Sequence, residues 1–307
     1  FFCSGGTEAN NLAIAGLGDP SLPVLLAPVE HPSVLAPAER RGIASWRVDA
    51  SGRAIVTAPE RPVGLIALVH AQSEVGTVQP VVAAAELAAN IRVPLHVDAA
   101  QSLGKISVRV DELRVDLLSI AGHKLYAPKG VGALVVAEGV EGLAPSLRGG
   151  GQEKGRRAGT EDVAGIAGFG AASKAALADR EGEASRQVRL RSRLEAGLRR
   201  TPGLVILAED VERLPNTVSF SVSGLRAETA LIGFDLDGIA VSSGSACSSG
   251  KVQPSHVVEA MGYGRELAEG AVRLSLGWST TEADIDTVLE AWRKLANTLL
   301  RERRNTA

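Results

Sequence analysis

Short runs of uninterrupted apolar residues alternate with stretches of helical periodicity through the first half of the chain. Val24–Ala27, Leu65–Val69, Leu95–Val97, Leu117–Ile120 and Gly132–Val136 read as buried strands, and Glu8–Leu17, Pro32–Arg41 and Val81–Ile91 read as helices between them. This alternation predicts a largely parallel sheet covered on both faces, with ligands met at the carboxyl ends of its strands. From Val163 to Arg200 a charged, alanine-rich stretch reads as one or two helices leading out of that first domain. Beyond Pro202 the pattern becomes α+β, with strands expected at Val205–Leu207, Thr217–Val222 and Val272–Leu276 and helices at Ala227–Phe234, Pro254–Met261 and Glu282–Arg301. The division this suggests is a large α/β domain over residues 1–182 and a smaller α+β domain over 183–307, with no internal repeat.

Composition narrows the functional classes. A chain of 307 residues that is 45% hydrophobic can fill two cores, and a net charge of -2 gives no general pull toward nucleic acid or a membrane surface. The Arg156–Arg157 and Arg301–Arg304 clusters lack the interleaved aromatics of a nucleic-acid surface. Two cysteines, Cys3 and Cys247, are too few for a disulfide framework and form no zinc pattern, which points to a reducing cytoplasm. The longest apolar runs are far shorter than a bilayer span, and no secretory signal is visible. The chain opens at Phe1, directly into apolar residues, so its true beginning is expected upstream.

Four segments carry chemistry. In Ser4-Gly5-Gly6-Thr7-Glu8, two glycines and a threonine open a helix, whose unpaired N–H groups suit a phosphate as well as they suit an ordinary capped start. In Leu95-His96-Val97-Asp98, a carboxylate follows a buried strand; alone, a helix N-cap aspartate is the simpler reading. In Ser119-Ile120-Ala121-Gly122-His123-Lys124, a lysine follows the next strand and precedes a Gly/Pro-rich loop; an amine in an apolar pocket has the lowered pKa that Schiff-base chemistry needs. Lys129 fits a solvated lysine better. An acid and a lysine at adjacent strand ends are what a pyridoxal phosphate ring asks for, one at its nitrogen and one at its aldehyde. In Ser243-Gly244-Ser245-Ala246-Cys247-Ser248-Ser249-Gly250, a single thiol sits in a loop of small residues, the setting of a travelling nucleophile.

These segments, with Glu30-His31, Glu74-Val75-Gly76-Thr77, Gly149-Gly150-Gly151-Gln152, Arg157-Ala158-Gly159-Thr160 and Val272-Arg273-Leu274-Ser275, resemble the pyridoxal-phosphate-dependent cysteine desulfurases of iron–sulfur cluster assembly, class V aminotransferase-like proteins. The match runs from about Phe2 to the last helix, and the loop around Cys247 is similar to the long form of the housekeeping branch. The resemblance implies PLP fold type I, the aspartate-aminotransferase-like α/β fold, with a mostly parallel sheet and a smaller α+β domain. It also implies roles. Lys124 carries the cofactor, Asp98 meets the ring nitrogen, Gln101 the ring oxygen, and His31 stacks on the ring and assists proton transfer. Gly6, Thr7 and His123 bind the phosphate, joined by Thr160 from the second subunit of a homodimer. Arg273 grips the substrate carboxylate. Cys247 takes the sulfur of L-cysteine as a persulfide, for passage to an acceptor protein, and a cationic His31 would raise its thiolate fraction.

Three departures accompany the match. Gln72-Ser73 stands where the family has two asparagines, one touching cofactor and substrate; Ala121 stands where it has a phosphate-binding serine. The resemblance also implies an N-terminal segment that helps build the small domain and the dimer interface, and these 307 residues lack it. The competing readings are another fold-type I enzyme, such as a selenocysteine lyase or an aminotransferase-like protein, and a non-catalytic scaffold. The Cys247 loop argues against the former, and the intact Lys124, Asp98 and Cys247 argue against the latter.

Overall fold

A computed structural model of the chain describes residues 1–244 and 253–299. Its strands are β1 (Phe2–Cys3), β2 (Val24–Leu26), β3 (Ile43–Ser45), β4 (Leu65–Val69), β5 (Leu95–Asp98), β6 (Leu117–Ala121), β7 (Gly132–Val136), β8 (Leu204–Ile206), β9 (Thr217–Val222), β10 (Ser242–Ser243) and β11 (Val272–Ser275). Its helices are α1 (Gly6–Gly16), α2 (Pro32–Glu39), α3 (Val81–Ile91), α4 (Val110–Leu113), α5 (Val163–Ala178), α6 (Arg180–Leu198), α7 (Ala227–Leu236), α8 (His256–Ala260), α9 (Arg265–Glu269) and α10 (Glu282–Leu299).

The chain forms two compact units. The first comprises Phe1–Arg47, Arg53–Gln72 and Val78–Arg180; the second comprises Val48–Gly52, Ser73–Thr77 and the chain from Glu181 onward. The first unit holds a seven-stranded sheet in the order β1-β7-β6-β5-β4-β2-β3. Strands β3, β2, β4, β5 and β6 are parallel, whereas β7 runs antiparallel to both β6 and β1. The apolar runs had predicted a largely parallel sheet, and it is present. The reversed direction of β7 follows from the short excursion that links it to β6, too short for a crossover helix.

Every residue of β4 and β5 is buried, so these strands need apolar cover on both faces. Leu12 and Ala13 of α1 close on Leu117 and Leu134, and Val34 and Ala38 of α2 close on Val24, Leu26 and Leu65. In a further cluster of this unit Phe169 of α5 joins Leu125 and Val131. The second unit holds an antiparallel sheet in the order β10-β11-β9-β8. Helices α6, α7 and α10 pack on it through Leu194, Phe234 and Trp292 against Phe220 and Leu274. Among the described residues no helix is long and apolar enough to cross a membrane.

Candidate active site

All but one of the unit-one residues singled out from sequence lie where parallel strands end or where α1 begins. Strand β1 is parallel to β6 through β7, so α1 starts at the same rim as the carboxyl ends of β2, β4, β5 and β6. Gly6 lets that start come close: a Cβ there would lie 3.2 Å from the Ala121 Cβ and 3.7 Å from the Ala100 Cβ. The helix begins after Gly5 with no side chain capping its first turn, and Glu8 reaches back to accept from the Ser4 N–H at 2.7 Å. First-turn N–H groups and the positive dipole end therefore face the rim.

Asp98 ends β5 and is buried. Its Oδ1 accepts from the Ala100 N–H at 2.9 Å and its Oδ2 from Asn10 Nδ2 at 2.7 Å. Burial pushes its carboxyl above the usual range; the bonds from Ala100 and Asn10 and the charges of His31 and Lys124 oppose this but do not cancel it. Asp98 is thus a carboxyl whose charge burial disfavours and a further cation would favour, more than an N-cap requires.

Lys124 follows β6 in a single 3₁₀ turn, Gly122–Leu125. Leu125 and Ala127 are buried, Lys124 is half-buried and His123 exposed. The turn needs glycine at its start, because a Cβ on Gly122 would meet the Val131 carbonyl at 2.9 Å. Although His123 is exposed, local desolvation of its ring and the charges of Lys124 and Lys129 hold the imidazole below its ordinary pKa. Gln101 follows Asp98, and its carbonyl accepts from Lys105 Nζ at 2.7 Å.

His31 is the N-cap of α2, its Nδ1 accepting from the Ser33 N–H, and Pro32 after it has no N–H to lose. Gln72 is buried, with its amide donating to the Val29 carbonyl at 3.3 Å. The longer amide found where the family has asparagine is therefore spent partly on the strand-end segment that leads to His31.

Thr160 lies elsewhere in this unit. It is exposed, in a cleft lined by Cys3, Ser4, Arg157 and Asp162 among others, and that cleft shares no residue with the Asp98–Lys124–His31 group. Arg157 ties the segment to α1 through a 2.9 Å ion pair with Glu8. Burial works against the Glu8 carboxylate, but the bonds from Arg157 and Ser4 hold it below the usual range. In the same cleft burial pushes the Cys3 thiol up to about 11, leaving it protonated and inert near neutrality.

Ser73 and Arg273 belong to the second unit, where Arg273 Nη1 donates to the Ser73 carbonyl at 2.7 Å. Beside them sits Glu74, which the sequence reading gave no role. Ser255, N-cap of α8, donates to Glu74 Oε2 at 2.5 Å while accepting from the Val258 N–H. A Cβ on Gly244 would lie 3.0 Å from that same oxygen. Burial pushes the Glu74 carboxyl up to about 7, with the Ser255 bond and the Arg273 charge opposing. Cys247 lies outside the described residues.

In the first unit, burial pushes the Glu30 carboxyl up to about 8; the Val69 N–H bond opposes this and Asp98 adds to it. Between the ordinary value of 4.5 and about 8 the folded chain holds a proton here that the unfolded chain has lost, so stability falls as pH rises through that window. Glu30→Gln keeps a carbonyl acceptor for Val69. It is expected to flatten the decline in thermal midpoint of the cofactor-free protein across this window; an unchanged slope would contradict the assignment.

The donor set fits pyridoxal phosphate. A buried carboxyl whose charge is disfavoured by desolvation suits a protonated ring nitrogen, a half-buried amine suits the aldehyde, and an uncapped helix start held close by Gly6 suits the phosphate. Among the described residues no group of three His, Cys, Asp or Glu side chains could hold a metal. Comparison with known proteins agrees. The aminotransferase class-V family profile matches residues 1–288. The cysteine desulfurase IscS of Dictyoglomus turgidum is 39% identical over 312 residues, covering 97% of this chain and 79% of that protein. A cysteine desulfurase of Cereibacter sphaeroides is 42% identical, covering 94% and 77%. The X-ray structure of a NifS-like protein from Rickettsia africae superposes with a TM-score of 0.87 at 30% identity, covering 97% of this chain and 81% of that one.

Proposed function

This chain belongs to the aminotransferase class-V family and, within it, to the pyridoxal-phosphate-dependent cysteine desulfurases, and on that premise we propose that Lys124, His31 and Cys247 divide the chemistry of converting L-cysteine to L-alanine and an enzyme persulfide. The fold is PLP fold type I. The observation that carries the residue assignment is the buried, cation-seeking Asp98 sharing one rim with Lys124 and His31.

When bound, pyridoxal phosphate supplies an electron sink for the negative charge formed at the substrate Cα. Asp98 would hold it at the ring nitrogen and Gln101 at the ring oxygen. Gly6, Thr7 and His123 would hold the phosphate, with Thr160 contributed by a second copy in a homodimer. Gln72 and Ser73 stand in for the family's asparagine pair. Lys124 would hold the cofactor at its aldehyde, and its Nζ would take the Cα proton of the substrate. His31 would meet the ring of the cofactor and would move a proton to or from the substrate. Arg273 takes the substrate carboxylate, for which a forked guanidinium is suited. The Cys247 thiolate would attack the substrate sulfur: the S–S bond forms as the substrate Cβ–S bond breaks, the electron pair of that bond stays on the carbon that becomes the alanine methyl, and Cys247 would then pass its outer sulfur to an acceptor protein.

An ultraviolet-visible spectrum of the purified protein, with and without L-cysteine, tests the reading; a substrate-dependent change in a visible cofactor band is expected. Cys247→Ala should keep that band and its response while sulfide release falls by about 10²-fold or more, the scale of losing an activated nucleophile. Sulfide release at the wild-type rate in that variant would refute the persulfide route.

A further inference from the structure

A line of hydrogen bonds joins Asp98 to His31 through two residues with no assigned role. Asn10 Nδ2 donates to Asp98 Oδ2 at 2.7 Å and to Ser33 Oγ at 2.8 Å. Ser33 Oγ lies 2.7 Å from His31 Nδ1, and the Ser33 backbone N–H donates to the same nitrogen at 3.1 Å. Asn10, Ser33 and Asp98 are all buried.

The chemistry of each group fixes the direction of every bond. A backbone N–H only donates, so Nδ1 of His31 presents a lone pair and the ring hydrogen sits on Nε2. An ionised carboxylate only accepts, so Asn10 turns its NH₂ toward Asp98, and the second hydrogen of that NH₂ goes to Ser33. The serine hydroxyl, having accepted, gives its own hydrogen to Nδ1. This orientation leaves Asn10 Oδ1 buried with no hydrogen-bond partner among the described residues, a cost that the charge-assisted bond to Asp98 offsets. If Asp98 were protonated, the preferred orientation would reverse. Asn10 would offer its oxygen to Asp98 and Ser33, and the serine hydrogen would leave His31.

We propose that Asn10 and Ser33 are positioning residues that couple the ionised state of Asp98 to one tautomer of His31, a neutral ring with its hydrogen on Nε2 and the lone pair of Nδ1 shared by the two donors of Ser33. The inference rests on the roles proposed for Asp98 and His31. It assigns His31 to the reaction as an Nε2–H donor, in place of the cation that the sequence suggested.

The test is nuclear magnetic resonance of ¹⁵N-labelled holoenzyme, with the ring signals of His31 assigned by their loss in His31→Gln. In the wild type the ring hydrogen is expected on Nε2. In Ser33→Ala, which leaves Asp98, Lys124 and the neighbouring Glu30 untouched, Nδ1 loses one donor. The pH at which the ring takes its second proton should then rise by about half a unit to one unit, the equivalent of one hydrogen bond. The acid limb of the kcat profile should move up by the same interval with KM for L-cysteine unchanged. Asn10→Ala should shift both in the same direction, and Ser33→Thr, which restores the hydroxyl, should return both toward wild type. A ring hydrogen on Nδ1 in the wild type, or a ring titration that Ser33→Ala leaves in place, overturns the proposal. A holoenzyme without a substrate-responsive cofactor band, or one whose turnover survives His31→Gln, instead overturns the assignment on which it rests.

Discussion

Lys124→Ala is expected to lower L-cysteine turnover by at least about 10³-fold, because general acid–base transfer alone contributes about 10²–10⁴-fold and the anchoring amine is lost with it. The substitution should leave the fold intact. Within the turn Gly122–Leu125 the core contacts come from Leu125, which is buried with Ala127, while Lys124 is only half-buried. Among the described residues, no neighbouring lysine is placed to substitute. Lys129 is exposed, and Lys105 Nζ is held on the Gln101 carbonyl at 2.7 Å. Borohydride reduction followed by denaturation and mass spectrometry should find the cofactor mass on the Lys124 peptide in the wild type and on no peptide in the variant. Recovery of that mass on another lysine, with turnover retained, would remove Lys124 from the mechanism.

Trp292→Ala should give the largest loss of stability, about 3–5 kcal/mol, the range for truncating a buried tryptophan or phenylalanine. Trp292 is 2% exposed at the centre of the second unit's core. Phe220 meets it edge-on, with ring centroids 4.8 Å apart, and Phe234 stacks on it at 6.3 Å. Its indole N–H donates to Thr201 Oγ1 at 2.8 Å, so the variant opens a cavity and also strands a hydroxyl. Against a typical total of about 5–15 kcal/mol such a loss is severe. Trp292→Phe, which refills most of the volume but not the hydrogen bond, should recover more than half of it. A urea midpoint unchanged in the alanine variant would show that this aromatic cluster does not hold the unit together.

What the sequence disclosed follows from physical scale. Strands β4, β7 and β9 and helix α3 begin and end where the apolar pattern placed them, because uniform burial writes an unbroken run and the flanking glycines and prolines close it. Strand β3 writes no such run: Ile43 and Ala44 are only partly buried, Ser45 is exposed, and its pairing with β2 is set by tertiary contact. Strands β1 and β10, of two residues each, are too short to carry a period. The site divides in the same way. Asp98 and Lys124 stood out because each is a charged residue directly after a buried strand. Asn10 and Ser33 did not, since their meaning lies in a contact with a carboxylate 88 positions away from Asn10. One signal was available: Gly6, Asn10, Ala13 and Ile14 share a buried helical face, and an amide on such a face must find a partner. Glu74 was equally hidden, because its neighbours Ser255 and Arg273 come from distant parts of the chain.

The parallel direction of β2, β4, β5 and β6 also separates two kinds of surface. Every connection that enters these strands approaches from the rim opposite the chemistry, and one of them, Glu60-Arg61-Pro62, is exposed. Surface connections of this kind accept added chain at little thermodynamic cost. A tether, a fluorescent label or a fused partner grafted at that bend would ride on the protein while leaving the reactive rim open to its visitors.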